Sequence, residues 1–226
     1  MIKGVIFDMD GVVINSLPSY FKAWKILLGK YEFQLTWEFF VEEFNGRSAV
    51  EILELLNERY DLDIKDVEAA SSEQCKIAWP IIKKEAQLMP GFERVFRDFK
   101  DRNFEIALAT SSVRRFVEDV LANLFPIEEF DSVLTASDVT YAKPHPEIYQ
   151  KSIAALDLDP AECLVVEDAW TGVEAARKAG ALVVGICSVQ DQEELRQANI
   201  WVPSMAVVDV EKIIDEATNL LESSSS

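Results

Sequence analysis

From residue 92 onward, short apolar runs alternate with segments of helical periodicity. Each run is short enough to form one strand; they cover residues 104–109, 132–135, 163–166 and 182–186, with an earlier one at 2–7. Apolar strands separated by helices are typical of a parallel sheet that is covered on both faces. We therefore predict an α/β fold with a doubly wound parallel sheet, a Rossmann-like core. Further helices are expected around residues 192–198 and in the later part of 207–221.

A long helical segment interrupts this alternation. Trp, Phe and Leu recur at helical spacing in four stretches between residues 16 and 87, without a strand-like run, and Pro90-Gly91 then ends the pattern. We predict that residues 16–87 form an inserted all-helical cap domain. Residues 1–15 and 88–226 would form the α/β catalytic core.

Composition excludes several classes of function. The chain has 40 acidic and 22 basic residues, so its net charge of −18 argues against nucleic acid and anionic membranes as partners. No basic segment leads into an apolar signal core, and no apolar run is long enough to cross a bilayer. We expect a cytoplasmic protein. Its oligomeric state is left open.

Cysteine and histidine usage narrows the chemistry. The scattered Cys75, Cys163 and Cys187 are expected to be buried, small apolar residues in a reducing compartment rather than a disulfide framework or a metal site. His145 is the only histidine, which excludes a multi-histidine zinc site. Catalysis would then depend on carboxylates, hydroxyls, amines and a hard metal ion.

Two aspartates directly follow the first apolar run. Asp8 and Asp10 are separated by one residue, and Gly11 permits a sharp turn after them. Both acids would therefore lie at the C-terminal tip of a strand, the edge at which parallel α/β sheets bind ligands. A solvated Asp-x-Asp-Gly turn is an equally good interpretation of these residues alone.

Three further polar groups follow strands or lie in a loop. Thr110-Ser111 could cap the next helix, or present a hydroxyl and backbone N–H groups to a phosphate. Glu167-Asp168 could be a solvated turn, or could complete an oxygen-rich cation site with the two aspartates. Lys143, which precedes Pro144, could be an exposed loop lysine or the counter-charge that such acids need.

The joint order of these groups is more specific than any one of them. The segments FDMDGVV, PGFERVFRDF, ALATSS, AKPHPEIY and VVEDAWTGVEAARKAG cover most of the predicted α/β part. In this order they resemble the haloacid dehalogenase-like hydrolase superfamily, and closely its phosphatase and β-phosphoglucomutase-like branch. The helical insertion matches the cap of that family in position and size, though less in sequence.

The resemblance implies roles for the acids. Asp8 would be the nucleophile that forms an aspartyl-phosphate, and Asp10 the general acid and then the general base. Mg²⁺ would be held by Asp8, by the backbone carbonyl of Asp10 and by Asp168, with Glu167 in or beside its coordination shell.

The resemblance also implies phosphate contacts. Thr110 and the N–H of Ser111 would bind phosphoryl oxygens, and Lys143 would neutralise both the phosphate and the Asp8 carboxylate. In the cap, Arg47 is a candidate for a distal contact with an anionic substrate, although a solvated arginine at a helix start explains it as well.

We therefore predict a Mg²⁺-dependent phosphatase, a phosphoric monoester hydrolase acting on a small phosphorylated metabolite. An acid at Asp10 argues for phosphate esters, because the dehalogenases and phosphonate hydrolases of this superfamily lack it. One alternative is a phosphomutase, although Tyr20 stands where β-phosphoglucomutases carry a cap histidine. Another is a non-catalytic phosphate-binding or regulatory protein. Phosphoglycolate, sugar phosphates, nucleoside monophosphates and phospholipid head-group phosphates all remain open as substrates.

Overall fold

The computed structural model describes residues 1–44, 46–188, 193 and 195–223. The chain divides into two compact units. One consists of Met1–Asn15 and Leu88–Ser226, and we call it the α/β unit; the other is Ser16–Gln87, the helical unit.

The strands and helices follow the alternation expected from the sequence. The strands are β1 (Gly4–Phe7), β2 (Ile14–Asn15), β3 (Gln87–Leu88), β4 (Glu105–Ala109), β5 (Ser132–Leu134), β6 (Cys163–Glu167), β7 (Leu182–Ile186) and β8 (Ile200–Val202). The helices are α1 (Leu17–Gly29), α2 (Trp37–Phe44), α3 (Ala49–Tyr60), α4 (Val67–Glu85), α5 (Phe92–Asp101), α6 (Arg114–Leu121), α7 (Glu147–Ala155), α8 (Trp170–Lys178) and α9 (Val210–Ser223).

Six of the strands form one parallel sheet in the order β5-β4-β1-β6-β7-β8. The sheet order reverses direction at β1, as a doubly wound sheet requires. All four residues of β1 are buried, so this strand lies in the middle of the core. The predicted α/β fold class is therefore confirmed.

The register of the sheet brings three strand ends to one edge. Phe7, the last residue of β1, is paired with Leu108 on one side and with Val166 on the other. The N–H of Asp8 continues this ladder by donating to the Val166 carbonyl at 3.0 Å. The residues that follow β1, β4 and β6 are consequently neighbours.

The helical unit contains α1 to α4 and has its own apolar core. Trp24, Phe40 and Phe44 are buried in it together with leucines of α1 and α3, so these aromatic side chains pack internally, as their helical spacing predicts. Helix α3 begins with a capping box, in which Ser48 accepts from the N–H of Glu51 and donates its own N–H to the Glu51 carboxylate. Within the described residues, no helix combines the length and apolarity needed to cross a membrane.

Some details differ from expectation. Strand β8 was not anticipated, because it is three residues long and its central Trp201 is 40% exposed. Of the helix expected around residues 192–198, positions 192 and 194 lie outside the described residues, and residues 195–197 form a turn. Cys75 is exposed and Cys187 is half-buried, although both were expected to be buried, whereas Cys163 is buried as predicted.

Candidate active site

Three carboxylates meet at the carboxyl edge of the sheet. Asp8 follows β1, Glu167 is the last residue of β6, and Asp168 comes next; all three are buried. One oxygen from each lies within 4.8 Å of the others. Such proximity is unfavourable between ionised acids in a dry site, so the cluster needs positive charge.

Lys143 provides part of that charge. Its Nζ donates to Asp8 Oδ1 at 2.6 Å, to Glu167 Oε1 at 2.7 Å and to the Ala109 carbonyl at 3.2 Å. These three acceptors match the three N–H donors of an ammonium group. The side chain is only 6% exposed, although the residue comes from a loop. Lys143 therefore contacts the buried acids. It is not the exposed loop lysine that the sequence also allowed.

The electrostatics of the cluster follow from its burial. Loss of hydration raises the pKa of Asp8 to about 8, and the carboxylates of Glu167 and Asp10 add to the rise, which Lys143 opposes. Burial, with the charges of Glu167 and Asp8, likewise raises the pKa of Asp168 well above its ordinary value. Burial alone would lower the pKa of Lys143, but Asp8 and Glu167 hold it well above the usual range.

The cluster fits a hard divalent cation. Lys143 contributes one positive charge against three buried carboxylates, and the donor atoms are oxygens, which Mg²⁺ prefers. A cation among these oxygens would offset the repulsion that adds to the effect of burial on the pKa values of Asp8 and Asp168. The buried acids are therefore a candidate metal site.

Asp10 lies at the rim of this site and is half-buried. Its Oδ2 accepts from the Ser112 hydroxyl at 3.4 Å, and the N–H of Ser112 donates to Thr110 Oγ1 at 3.1 Å. Thr110 is buried, whereas Ser111 is exposed. Ser112 was missed by the sequence reasoning, although it adjoins the Thr-Ser pair that was singled out.

A cavity of about 130 Å³ opens beside Lys143. Thr110, Ser111 and Tyr141 contribute to its lining along with the lysine. Hydroxyl-bearing residues and a lysine in one lining are suited to an anionic ligand. The predicted phosphate-binding residues of the α/β unit therefore share one cavity.

Two glycines make room for the carboxylates. A Cβ atom at Gly11 would lie 1.9 Å from Asp168 Oδ2, and the residue has a φ of +82°. A Cβ atom at Gly172, in helix α8, would lie 1.7 Å from Glu167 Oε1. The side chain that approaches Gly172 is therefore the carboxylate of Glu167.

Tyr149 is a further site residue that sequence reasoning missed. It belongs to helix α7 and is fully buried, and its hydroxyl donates to Glu167 Oε1 at 2.5 Å. Burial, followed by the charge of Glu167, raises the pKa of this phenol well above its ordinary value, so the hydroxyl keeps its proton. The available signal was a tyrosine on the apolar face of the helix that follows Lys143.

Arg47 belongs to the helical unit, and its role stays a prediction. Its Nε donates to the Glu43 carbonyl at 2.8 Å, and its side chain is exposed. The adjacent position 45 lies outside the described residues.

Known proteins similar to this chain were found by sequence and by structure. Residues 2–180 match the family described as haloacid dehalogenase-like hydrolase. A phosphorylated carbohydrates phosphatase of Thermotoga maritima is 30% identical, over 97% of this chain and 100% of its own length. A β-phosphoglucomutase of Bacillus subtilis is also 30% identical, over 81% of this chain and 83% of its own length. The crystal structure of β-phosphoglucomutase from Clostridium difficile superposes with a TM-score of 0.81 at 28% identity, covering 98% of this chain and 99% of that one.

The chain belongs to the haloacid dehalogenase-like hydrolase family. The family resemblance inferred from the motifs is thereby confirmed, as is the predicted enzyme class, since phosphatases are among the relatives. Those relatives act on phosphorylated small molecules.

Proposed function

We propose that this protein is a Mg²⁺-dependent phosphatase that hydrolyses a small phosphorylated metabolite through an aspartyl-phosphate on Asp8. The observation that carries this proposal is the position of Asp8. It is buried at the tip of the central strand, 2.6 Å from the Lys143 ammonium and among two further acids. A carboxylate with a fixed cationic neighbour is suited to attack phosphorus.

The reaction has two steps. An Asp8 carboxylate oxygen bonds to phosphorus, the bond from phosphorus to the ester oxygen breaks, and Asp10 gives its proton to the departing alkoxide. A water molecule then attacks phosphorus while Asp10 takes a proton from it. The acyl phosphate bond breaks, which releases inorganic phosphate and restores both carboxyl groups.

The surrounding residues have supporting roles. Lys143 neutralises charge on Asp8 and on the phosphoryl oxygens, and Thr110 with the N–H of Ser111 binds those oxygens from the adjoining cavity. Asp8, Asp168 and the backbone carbonyl of Asp10 would hold Mg²⁺, with Glu167 beside them. When bound, the ion supplies positive charge against the transferring phosphoryl group.

The relatives favour a phosphorylated sugar as the substrate. The Thermotoga maritima protein, which matches this chain from end to end, is a phosphatase of phosphorylated carbohydrates. Arg47 in the helical unit is a candidate for the contact with the distal part of such a substrate.

The primary test is phosphate release from p-nitrophenyl phosphate and from a panel of phosphorylated sugars. We expect turnover with Mg²⁺, none in excess EDTA, and inhibition by Ca²⁺, since calcium accepts more ligands and a looser geometry. Full activity in EDTA, or equal rates with Ca²⁺, would contradict the proposed metal dependence. A protein that releases no phosphate from any substrate would be a binding or regulatory protein instead.

A phosphomutase is the second candidate, because two similar proteins are β-phosphoglucomutases. Its first half-reaction is the same, but a sugar hydroxyl replaces water in the second. Tyr20 occupies the position at which the resemblance leads us to expect a histidine, so we favour hydrolysis. Supplying β-glucose 1-phosphate with its bisphosphate, and following glucose 6-phosphate together with free phosphate, separates the two. Isomerised sugar that forms faster than phosphate would assign the protein as a mutase.

A further inference from the structure

Tyr149 contacts the candidate site through two different parts of its side chain. Its hydroxyl donates to Glu167 Oε1 at 2.5 Å, and the Lys143 Nζ lies 4.8 Å from the centre of its ring. Phenylalanine would fill the same space without burying a hydroxyl group. A buried hydroxyl is costly unless it is hydrogen-bonded, and here its partner is a site carboxylate.

With the hydrogen bond from Tyr149, the Glu167 carboxylate has four hydrogen-bond donors. Oε1 accepts from the tyrosine hydroxyl and from Lys143, and Oε2 accepts from the N–H groups of Asp168 and Ala169 at 3.1 and 3.3 Å. A carboxylate offers about four lone-pair sites, so these donors fix its orientation. Gly172 closes the remaining side, since a Cβ atom there would overlap Oε1.

The contacts of Glu167 also affect Asp8, the proposed nucleophile. Glu167 and Asp8 accept from the same ammonium group, so the position of Lys143 depends on how strongly each carboxylate attracts it. The tyrosine hydroxyl occupies one hydrogen-bond acceptor position of the Glu167 carboxylate. The face of the tyrosine ring provides a second favourable contact for the Lys143 ammonium. Both effects leave Lys143 free to donate to Asp8.

We propose that Tyr149 is a positioning residue, whose hydroxyl and ring hold Glu167 and Lys143 in the arrangement that the Asp8 nucleophile and the metal ligands require. This inference rests on the proposed function and assigns to helix α7 a part in it. Without the hydroxyl, Lys143 shifts toward Glu167 and away from Asp8, and the acids lose their fixed orientation. Because Mg²⁺ demands near-ideal octahedral geometry, its affinity falls as well.

The test compares Tyr149→Phe with Ser152→Ala. Ser152 lies on the same helix and is also buried, but its hydroxyl donates to the Ile148 carbonyl and does not reach the site. We expect Tyr149→Phe to lower kcat about tenfold and to weaken the Mg²⁺ Kd about tenfold, with KM changed less than about twofold. Titration calorimetry with Mg²⁺ alone, without substrate, measures the Kd. Ser152→Ala should leave kcat and Kd unchanged.

Circular dichroism and melting curves verify that both variants fold. Tyr149→Phe with wild-type kcat, or with an unchanged or tighter Mg²⁺ Kd, would reduce Tyr149 to a packing residue and overturn the inference. Equal losses in both variants would do the same, since they would indicate a general effect of perturbing helix α7. A wild-type protein that neither binds Mg²⁺ nor releases phosphate would instead overturn the proposed function, and this inference with it.

Discussion

At the scale of single residues, substitution of Asp8 tests the proposed chemistry most directly. Asp8→Asn should lower kcat by at least about 10³-fold, because an amide is a poor nucleophile and a neutral ligand. The side chain lies at a strand tip among other acids, so the melting temperature of the metal-free protein should not fall. Activity and melting are measured on the same preparations.

The control is Asp98→Asn, which removes a charge from a surface pair with Arg102 and should leave kcat unchanged. A folded Asp8→Asn protein that retains substantial activity would remove Asp8 from the role of nucleophile.

The raised pKa of Asp8 predicts how stability depends on pH. The folded state keeps a proton on Asp8 up to about pH 8, whereas the unfolded chain releases it near pH 4. In EDTA, this contribution to the free energy of unfolding is full below about pH 4 and is lost as the pH rises toward 8, by an amount on the order of a few kcal/mol.

Urea denaturation between pH 5 and 8 measures this slope, and Asp8→Asn should reduce it, leaving the part that comes from Asp168, whose pKa burial also raises. Mg²⁺ should restore more stability at the upper end of the range, because the ion binds ionised carboxylates. A metal-free protein whose stability rises across this range would contradict the assigned direction of the pKa shift.

At the scale of elements, helix α8 is constrained by the site that it adjoins. Alanine normally stabilises a helix interior by about 1 kcal/mol relative to glycine. At Gly172, however, the added Cβ would overlap the Glu167 carboxylate, so Gly172→Ala should lower kcat roughly tenfold and destabilise the protein.

Gly29→Ala is the matched control, because Gly29 also lies in a helix and has no atom within 4 Å of an added Cβ. It should be neutral or slightly stabilising. Steady-state kinetics and thermal melting of the two variants test the comparison; a fully active Gly172→Ala enzyme would show that Glu167 can move without consequence.

The elements also show what a sequence can and cannot reveal. Apolar runs predicted β1, β4, β6 and β7, because strands buried on both faces have little choice but to be apolar. Strand β8 was not predicted, because the exposed Trp201 is its central residue. This edge strand therefore has a composition close to that of a loop, whereas the opposite edge strand, β5, was predicted from the apolar run at residues 132–135.

The same distinction applies to the site. Asp8, Asp10, Thr110, Glu167 and Asp168 were found because polar residues that follow buried strands must lie at one edge of a parallel sheet. Tyr149 and Gly172 were not assigned to it, because both lie within helices, where no simple spacing rule connects them to a strand end. Their place in the site depends on how α7 and α8 pack against the sheet.

At the scale of the whole molecule, the net charge of −18 makes self-repulsion a significant term. Raising NaCl from about 20 to about 200 mM screens it, and should stabilise the metal-free protein by about 1 kcal/mol, or roughly 2–4 °C in melting temperature. Calorimetry in EDTA measures the change. At lower pH, where fewer carboxylates are ionised, NaCl should raise the melting temperature by a smaller amount. A melting temperature that falls with added NaCl would mean that surface ion pairs outweigh the repulsion.

The place of β1 in the sheet has a consequence for biosynthesis. This strand leaves the ribosome before its partners β4 and β6, which begin only at residues 105 and 163. At the usual rate of about 5–20 residues per second, β1 waits on the order of ten seconds or more for both neighbours. The helical unit, Ser16–Gln87, is continuous in sequence and can fold during that interval. The nascent chain therefore carries a strand that is fully buried in the folded protein, but still unpaired, during much of its translation, which makes β1 a segment for a chaperone to cover.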